Sequence, residues 1–432
     1  MVKRWLWLLL LVAGSEAAEM RLTPASVAAL DQVAAGETVI LEPGIYPALR
    51  LSQTLTLKGE AGAVIDAGGK GHGLFLNAPG IRVFDLAIRN WGADLGALDA
   101  GIFISGKASD TEVARVQFNG PGFGIWAESA KRLYLHHNDI EGDTSLRSQD
   151  RGNGIHLFDV GDSLVAHNRI RRVRDGIYIN YSHHNRLMGN RMSKLRYGIH
   201  YMYSNNNEVS GNVTEHTRTG YALMQSRQLT VTGNVSEQDE NYGILMNYIT
   251  YSTISGNRVS GVRSNSRLIN PRGAEGKAMF AYQAVGNEIS DNWLAHSDLG
   301  LHMTAGSEQN QIFGNALVGN RTQVRYVSNR PQEWSRDGRG NYWSDYLGWD
   351  LDQNGLGDVP YEPNDGMDRV LWQYPAARWL LNAPVVSLLR WIQQQFPVFR
   401  GPGVTDSYPL MALPDTMAEG RHDEHYSLAA GH

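Results

Sequence analysis

The sequence predicts an all-β fold, a right-handed parallel β-helix with rungs of 22–24 residues. Two series of residues recur at steps of 22 residues. One series consists of glycines, each followed by an apolar residue: Gly154, Gly176, Gly198 and Gly220. The other consists of asparagines: Asn168, Asn190, Asn212 and Asn234. Apolar and polar residues alternate between these markers, as in strands with one buried face, and neither a helical period nor a leucine framework is present. Such repeats stack about 4.8 Å apart, and solenoid crossovers are almost always right-handed.

The recurring asparagines should lie in one column, where stacked side chains hydrogen-bond along the solenoid. Asn257, Asn292 and Asn315 are expected to extend the column, at further steps of 23, 35 and 23 residues. The 35-residue step requires an insertion, which the loop-like stretch 261–275 supplies. A second irregular stretch is expected at 142–151.

Residues 1–18 have the pattern of a secretory signal peptide. Lys3 and Arg4 precede an apolar run and small residues, and the run is too short for the alternative, a membrane anchor. We therefore expect an exported protein that is soluble or peripheral to a membrane. The chain has no cysteine, which excludes disulfides and thiolate metal sites, and its net charge of −5 offers no basic surface for nucleic acid.

Three further segments are predicted after the signal peptide. Residues 19–329 form the β-helix, with a short capping helix at 23–33, because an open solenoid end needs a cap. Residues 330–414 form a C-terminal extension with an acidic loop and an amphipathic helix at 375–395. That helix is interpreted either as a second cap or as a docking helix for a membrane partner. Residues 415–432 are expected to be disordered.

The strand after each rung glycine should point its second and fourth residues outward. These positions carry histidine, methionine and aromatic residues: His156/Phe158, Tyr178/Asn180, His200/Met202, Ala222/Met224 and His302/Thr304. His200, Met202 and Met224 share one face on neighbouring rungs and could converge on one ion. Thioether and imidazole ligands without cysteine favour copper(I), with His302 as a weaker candidate. The alternative is a patch that contacts a partner protein.

Other histidines are weaker candidates. Each of the adjacent pairs His136–His137 and His183–His184 is expected to supply at most one ligand, because neighbouring strand residues face opposite ways. The tail histidines could scavenge metal, although a solvated tail is the simpler interpretation.

The acidic loop has part of the spacing of a calcium-binding loop. Its candidate oxygen ligands fall at positions 1, 3, 5 and 9: Asp350, Asp352, Asn354 and Asp358. Gly355 occupies position 6, but position 12 is Tyr361 instead of glutamate. Calcium binding and a plain Asx-rich turn both remain open.

A polysaccharide-active enzyme (lyase, epimerase or hydrolase) is the alternative function, because parallel β-helices also host that chemistry. Glycoside hydrolysis needs paired carboxylates across the scissile bond. The outward columns show no carboxylate cluster, and the sequence contains no Asp-Asp pair. The sequence therefore favours a protein that is not an enzyme.

The chain resembles the NosD family, periplasmic β-helix proteins for the maturation of nitrous oxide reductase. The resemblance covers about residues 20–413, and its most specific parts lie beyond the rungs: 340–346, 348–361, 388–390 and 395–397. It implies docking on an ABC transporter made of the NosF ATPase and the NosY permease. Copper would come from the chaperone NosL and serve the copper–sulfur centre of the reductase NosZ. His200, Met202 and Met224 would then form a transient copper(I) relay.

Overall fold

The chain forms a parallel β-helix, which confirms the predicted fold class. The computed structural model describes residues 19–264, 275–327, 330–363 and 403–414, with the single positions 388 and 417. Each turn of the chain passes through three parallel sheets of 13, 13 and 12 strands, named here the first, second and third sheets. Among the described residues, no helix combines the length and apolarity needed to cross a membrane.

The strands are short, and register partners lie one turn apart. The first sheet contains Glu19–Leu22, Thr38–Leu41, Thr56–Gly59, Arg82–Phe84, Glu112–Ala114, Tyr134–His136, Leu164–Ala166, Arg186–Met188, Glu208–Ser210, Thr230–Thr232, Thr253–Ser255, Glu288–Ser290 and Gln311–Phe313. The second contains Gly44–Tyr46, Ala63–Asp66, Ala87–Arg89, Gln117–Gly120, Asp139–Gly142, Arg169–Arg171, Arg191–Ser193, Val213–Glu215, Val235–Glu237, Arg258–Ser260, Trp293–Ala295, Ala316–Val318 and Tyr342–Trp343. The third contains Leu49–Leu51, Leu74–Leu76, Ala100–Ile104, Phe123–Glu128, Ile155–Phe158, Asp175–Asn180, Tyr197–Met202, Thr219–Met224, Tyr242–Asn247, Lys277–Tyr282, Leu299–Thr304 and Thr322–Val327. Gln332–Glu333 and Val404–Thr405 form a separate pair.

The core is a stack of identical positions from successive turns. Ile155 pairs with Ile177, and Ile177 pairs with Ile199, and all three are fully buried. The rung glycines allow this close stacking. A Cβ atom on Gly198 would lie 2.4 Å from Thr214 Cγ2, which packing forbids.

The predicted asparagine column is a continuous hydrogen-bonded ladder. In each step, the backbone amide and the side-chain Nδ2 of one asparagine donate to Oδ1 of the next, at 3.0 and 2.9 Å between Asn168 and Asn190. The 35-residue step is confirmed, because Asn257 donates to Asn292 in the same way. The ladder includes two members that the sequence analysis did not name, Asn138 and Asn341.

The N-terminal cap differs from the predicted helix at 23–33. The strand Glu19–Leu22 already pairs with Thr38–Leu41, so the described β-sheet structure begins before the cap. A 3-10 helix, Val27–Gln32, follows and buries Leu30. A second 3-10 helix, Ser148–Asp150, lies in the irregular stretch at 142–151.

The C-terminal end is closed by residues 403–414, which fold back onto the last turn. Asp406 is fully buried and accepts hydrogen bonds from the Asn341 amide and from Trp343 Nε1, both at 2.7 Å. The asparagine ladder therefore ends on a carboxylate. The predicted signal peptide, the predicted helix at 375–395 except Leu388, and the tail after Met417 lie outside the described residues.

Candidate metal centre

The third sheet carries the side chains that the sequence predicts as copper ligands. Its inward residues, such as Ile199 and Tyr201, are fully buried in the core. Its outward residues His200, Met202 and Met224 are half-buried. The predicted alternation is therefore confirmed, and these three side chains lie on the outer face of neighbouring strands.

His200 is held by a buried carboxylate from the preceding turn. Its Nδ1 atom lies 3.1 Å from Asp175 Oδ2, and the guanidinium of Arg196 donates to both Asp175 oxygens at 2.8 and 2.6 Å. Burial alone would raise the pKa of Asp175, but the hydrogen bonds from Arg196 and His200 outweigh it and leave this pKa below its usual value. The ionised carboxylate accepts the Nδ1 proton of His200. This leaves Nε2 with the lone pair that a metal requires.

Aromatic rings position His200 and pack along the outward column of the third sheet on the N-terminal side of this residue. Tyr178 stacks on His200 with ring centroids 4.4 Å apart, and Tyr197 meets the same ring edge-on at 4.8 Å. His156 lies between Tyr178 and Trp126, with centroids 4.5 and 4.0 Å away. Burial lowers the pKa of His156 to about 3, so its ring is neutral. The column thus changes from aromatic packing to ligand-type side chains at His200.

Met202 and Met224 are direct register partners on neighbouring strands, whose backbones lie about 4.8 Å apart. The same column continues to Asn180 on one side and to Asn247 on the other. The Oδ1 atoms of both asparagines are buried and accept no hydrogen bond in the described part of the chain. The two thioethers therefore lie between two buried amide oxygens that accept no hydrogen bond from the described residues. Native proteins rarely leave a buried acceptor without a donor.

His302 lies in the same outward column as His200 but apart from it. Four strand steps separate the two residues in the third sheet, a distance of about 19 Å. The register partners of His302 are Phe280 and Arg325. Burial, together with the nearby cations of Arg325 and Lys277, lowers the pKa of His302 to about 3. Glu275 pairs with Arg325 at 2.6 Å and offsets part of this positive charge, and the remainder opposes a metal cation at this position.

The acidic loop uses its carboxylates to bind its own backbone. The Asp350 oxygens accept hydrogen bonds from the amides of Asn354 and Gly355 at 3.1 and 2.8 Å, and Asp358 accepts one from the amide of Leu351. Over the described ranges, no three His, Cys, Asp or Glu side chains converge as a metal site. The bonding is that of an Asx-rich turn, and calcium at this loop stays a prediction.

Comparison with known proteins identifies the family. The family described as "Periplasmic copper-binding protein (NosD)" matches residues 136–348. A protein of Pseudomonas aeruginosa named "Probable ABC transporter binding protein NosD" is 57% identical over 84% of this chain and 85% of its own length. The chain belongs to the NosD family. A Stutzerimonas stutzeri protein with the same name is 52% identical, with 84% of each chain covered.

Solved structures similar to this NosD-family chain share its fold. The A-module of a mannuronan C-5 epimerase from Azotobacter vinelandii superposes with a TM-score of 0.58 at 15% identity, covering 74% of this chain and 93% of the module. A DFA-IIIase from Arthrobacter chlorophenolicus superposes with a TM-score of 0.52 at 14% identity, covering 76% and 94%. At such low identity the likeness concerns the β-helix alone.

Sequence reasoning missed three residues of this site in the NosD-family chain. Asp175 lies one residue before Gly176, and Arg196 lies two residues before Gly198. Counting forward from the rung glycines therefore passes over both residues. Asn180 was placed on the outward column, and Asn247 falls four residues after Gly243 by the same count. The repeat count could therefore have found Asn247, whereas the contact of Asp175 with His200 required side-chain positions.

Proposed function

We propose that the chain is a periplasmic accessory protein that binds copper(I) and relays it for assembly of the copper–sulfur centre of nitrous oxide reductase. The observation that carries this proposal is the register pairing of Met202 with Met224 beside His200, whose ring is oriented by Asp175. Copper is the cargo of this site. The family description of a periplasmic copper-binding protein supports the same role.

The chemistry of these side chains suits transient binding of a soft ion. Thioether sulfur and neutral imidazole select copper(I) over calcium or magnesium. Because His200, Met202 and Met224 all retain some exposure, 12% for the His200 side chain, a bound ion would remain within reach of a second protein. A relay requires such access, since an ion enclosed on all sides exchanges slowly.

The partners belong to the same proposal. The relatives are named ABC transporter binding proteins, which supports docking of this chain on an ABC transporter. By family resemblance the transporter consists of NosY and NosF, the copper donor is NosL and the recipient is NosZ. The segment at 375–395, which would dock on the permease, lies outside the described residues.

A polysaccharide-active enzyme is the competing function. The outer face near His200 contains one buried carboxylate, Asp175, and Arg196 and His200 already occupy its oxygens. General acid–base cleavage of a glycoside uses two carboxyl groups on either side of the bond. The arrangement around His200 therefore supports metal binding better than sugar hydrolysis.

The test is an anaerobic copper(I) titration of the mature protein against a competing chelator. We expect the wild type to bind stoichiometrically and the variant His200→Ala/Met202→Ala/Met224→Ala to lose that binding. Met188→Ala, which truncates a half-buried methionine on the first sheet, is the matched control and should bind as the wild type does. Equal binding by the triple variant would refute the site, and absence of binding by the wild type would refute copper carriage.

A further inference from the structure

Three histidines lie near one another at the turn between the first and second sheets, away from the proposed copper(I) site. His136 ends a strand, and His137 follows in the left-handed conformation with φ of 54°. The Nδ1 atoms of the two rings lie 2.8 Å apart. The expectation that neighbouring histidines face opposite ways is wrong here, because the left-handed turn swings the His137 side chain back toward His136.

A carboxylate orients the ring of His136. Its Nε2 atom lies 3.1 Å from Glu112 Oε1, and Tyr134 stacks on the ring with centroids 3.7 Å apart. Because the carboxylate accepts the Nε2 proton, Nδ1 carries the lone pair on the side of the ring that faces His137. A carboxylate behind a histidine is the usual outer partner of a metal ligand.

His167 occupies the equivalent turn position one rung later, also with φ of 54°. Its ring centroid lies 5.1 Å from that of His137. The ring fits there because the next turn has a glycine, Gly189. A Cβ atom added at this position would lie 2.6 Å from His167 Nδ1. His137 and His167 are both exposed, so a solvated ion can reach them.

We propose that His136 and His137 chelate a divalent copper ion through their Nδ1 atoms, with His167 as the third ligand and Glu112 as the outer partner. Imidazole nitrogen suits divalent copper, which binds such sites more tightly than other first-row divalent ions. With metal–nitrogen bonds of about 2.0 Å, the 2.8 Å separation gives an angle of about 90° at the ion. Among the described residues no three such side chains converge on one point. His167 therefore becomes the third ligand by rotating its exposed ring toward the ion.

This site is independent of the proposed copper(I) relay, because it uses other residues on other sheets. The test is a copper(II) titration of the full chain followed by electron paramagnetic resonance, with variants His137→Asn and His167→Asn. Asparagine tolerates the left-handed conformation, so these variants retain the turn. His184→Asn, at another exposed left-handed turn position, is the matched control.

We expect the wild type and the His184 control to hold one equivalent with imidazole nitrogen couplings that both site variants lack. Glu112→Gln should weaken it about 10–100-fold. Copper(II) bound elsewhere on the chain gives the same signal in the wild type and in every variant, so it does not affect the difference between them. The variant lacking His200, Met202 and Met224 should keep this copper(II) signal, so failure of either site is seen separately. Unchanged couplings and affinity in His137→Asn would overturn the proposal and leave the two rings as a hydrogen-bonded pair.

Discussion

Asparagines with buried side-chain oxygens occupy two different environments in this molecule. In the ladder, Asn190 donates its backbone amide and Nδ2 to Asn212 Oδ1, and Nδ2 also reaches a backbone carbonyl. On the outer column, Asn180 and Asn247 have buried oxygens without a hydrogen-bond donor in the described part of the chain. The same residue type is structural where its bonds are complete, and marks a candidate ligand site where they are not.

Removing one ladder asparagine should have the largest effect on stability. Asn212→Ala takes away the acceptor of both Asn190 donors and leaves buried polar groups unpaired, at about 1–3 kcal/mol for each group. We expect the free energy of unfolding to fall by about 3–5 kcal/mol in chemical denaturation followed by circular dichroism. Asn180→Ala is the matched control and should cost less than about 1 kcal/mol, because its oxygen accepts no bond. Equal losses would abolish the distinction.

Two buried aspartates extend the comparison to charge. Asp175 is ion-paired with Arg196, and its pKa is lowered. Among the described residues, Asp239 accepts hydrogen bonds only from uncharged donors, such as Ser236 and Thr217. Burial raises the pKa of Asp239 to about 6. Asp239 is therefore more easily protonated in the folded chain than in the unfolded one.

The stability that Asp239 contributes should disappear as the pH rises. Because its folded pKa lies above the ordinary value of 3.8, the contribution is fully present below pH 3.8 and is lost as the pH rises through about 6. A shift of about two units corresponds to about 3 kcal/mol. Denaturation from pH 4 to 7.5 should show this fall in the wild type and a flatter profile in Asp239→Asn. Superimposable profiles would contradict the assignment.

Removing the carboxylate behind His200 should weaken copper(I) binding by about 10–100-fold, since outer partners of metal ligands typically contribute that much. Asp175→Asn keeps the shape but no longer accepts the Nδ1 proton as an anion. Chelator competition measures the effect. Asp159→Asn, at an exposed turn, should leave the affinity unchanged. The same affinity in both variants would show that Asp175 does not orient the ligand.

The smallest effect concerns calcium at the acidic loop. Asp350 lies close to Asp352, both near the amide of Asn354, so a cation would relieve their repulsion. We expect millimolar calcium to raise the free energy of unfolding only slightly, because exposed charge pairs contribute little to stability. The rise should vanish in Asp350→Asn. A calcium response that persists in this variant would place the ion elsewhere, and no response would favour the plain turn.

Much of the fold could be predicted because the repeat is periodic. Adding 22 residues to Asn168 leads to its ladder partner, and counting outward positions leads to Met202 and Met224 as neighbours. The capping helix was predicted less well. An apolar stretch with helix-forming residues looks the same for an α-helix and for the 3-10 helix Val27–Gln32, and short ends are decided by what they pack against.

The sequence by itself determined the solenoid, the ladder and the face that carries His200, because each turn repeats the same spacing and alternation. Only the tertiary structure decided which side chains meet across turns. Asp175 reaches His200 from the preceding rung, and Asp406 closes the ladder from 65 residues beyond Asn341. Such contacts depend on left-handed turns, rotamers and chain reversal. The left-handed turns recur with the repeat, but rotamers and chain reversal leave no periodic trace, because they are chosen by packing against neighbours distant in the sequence.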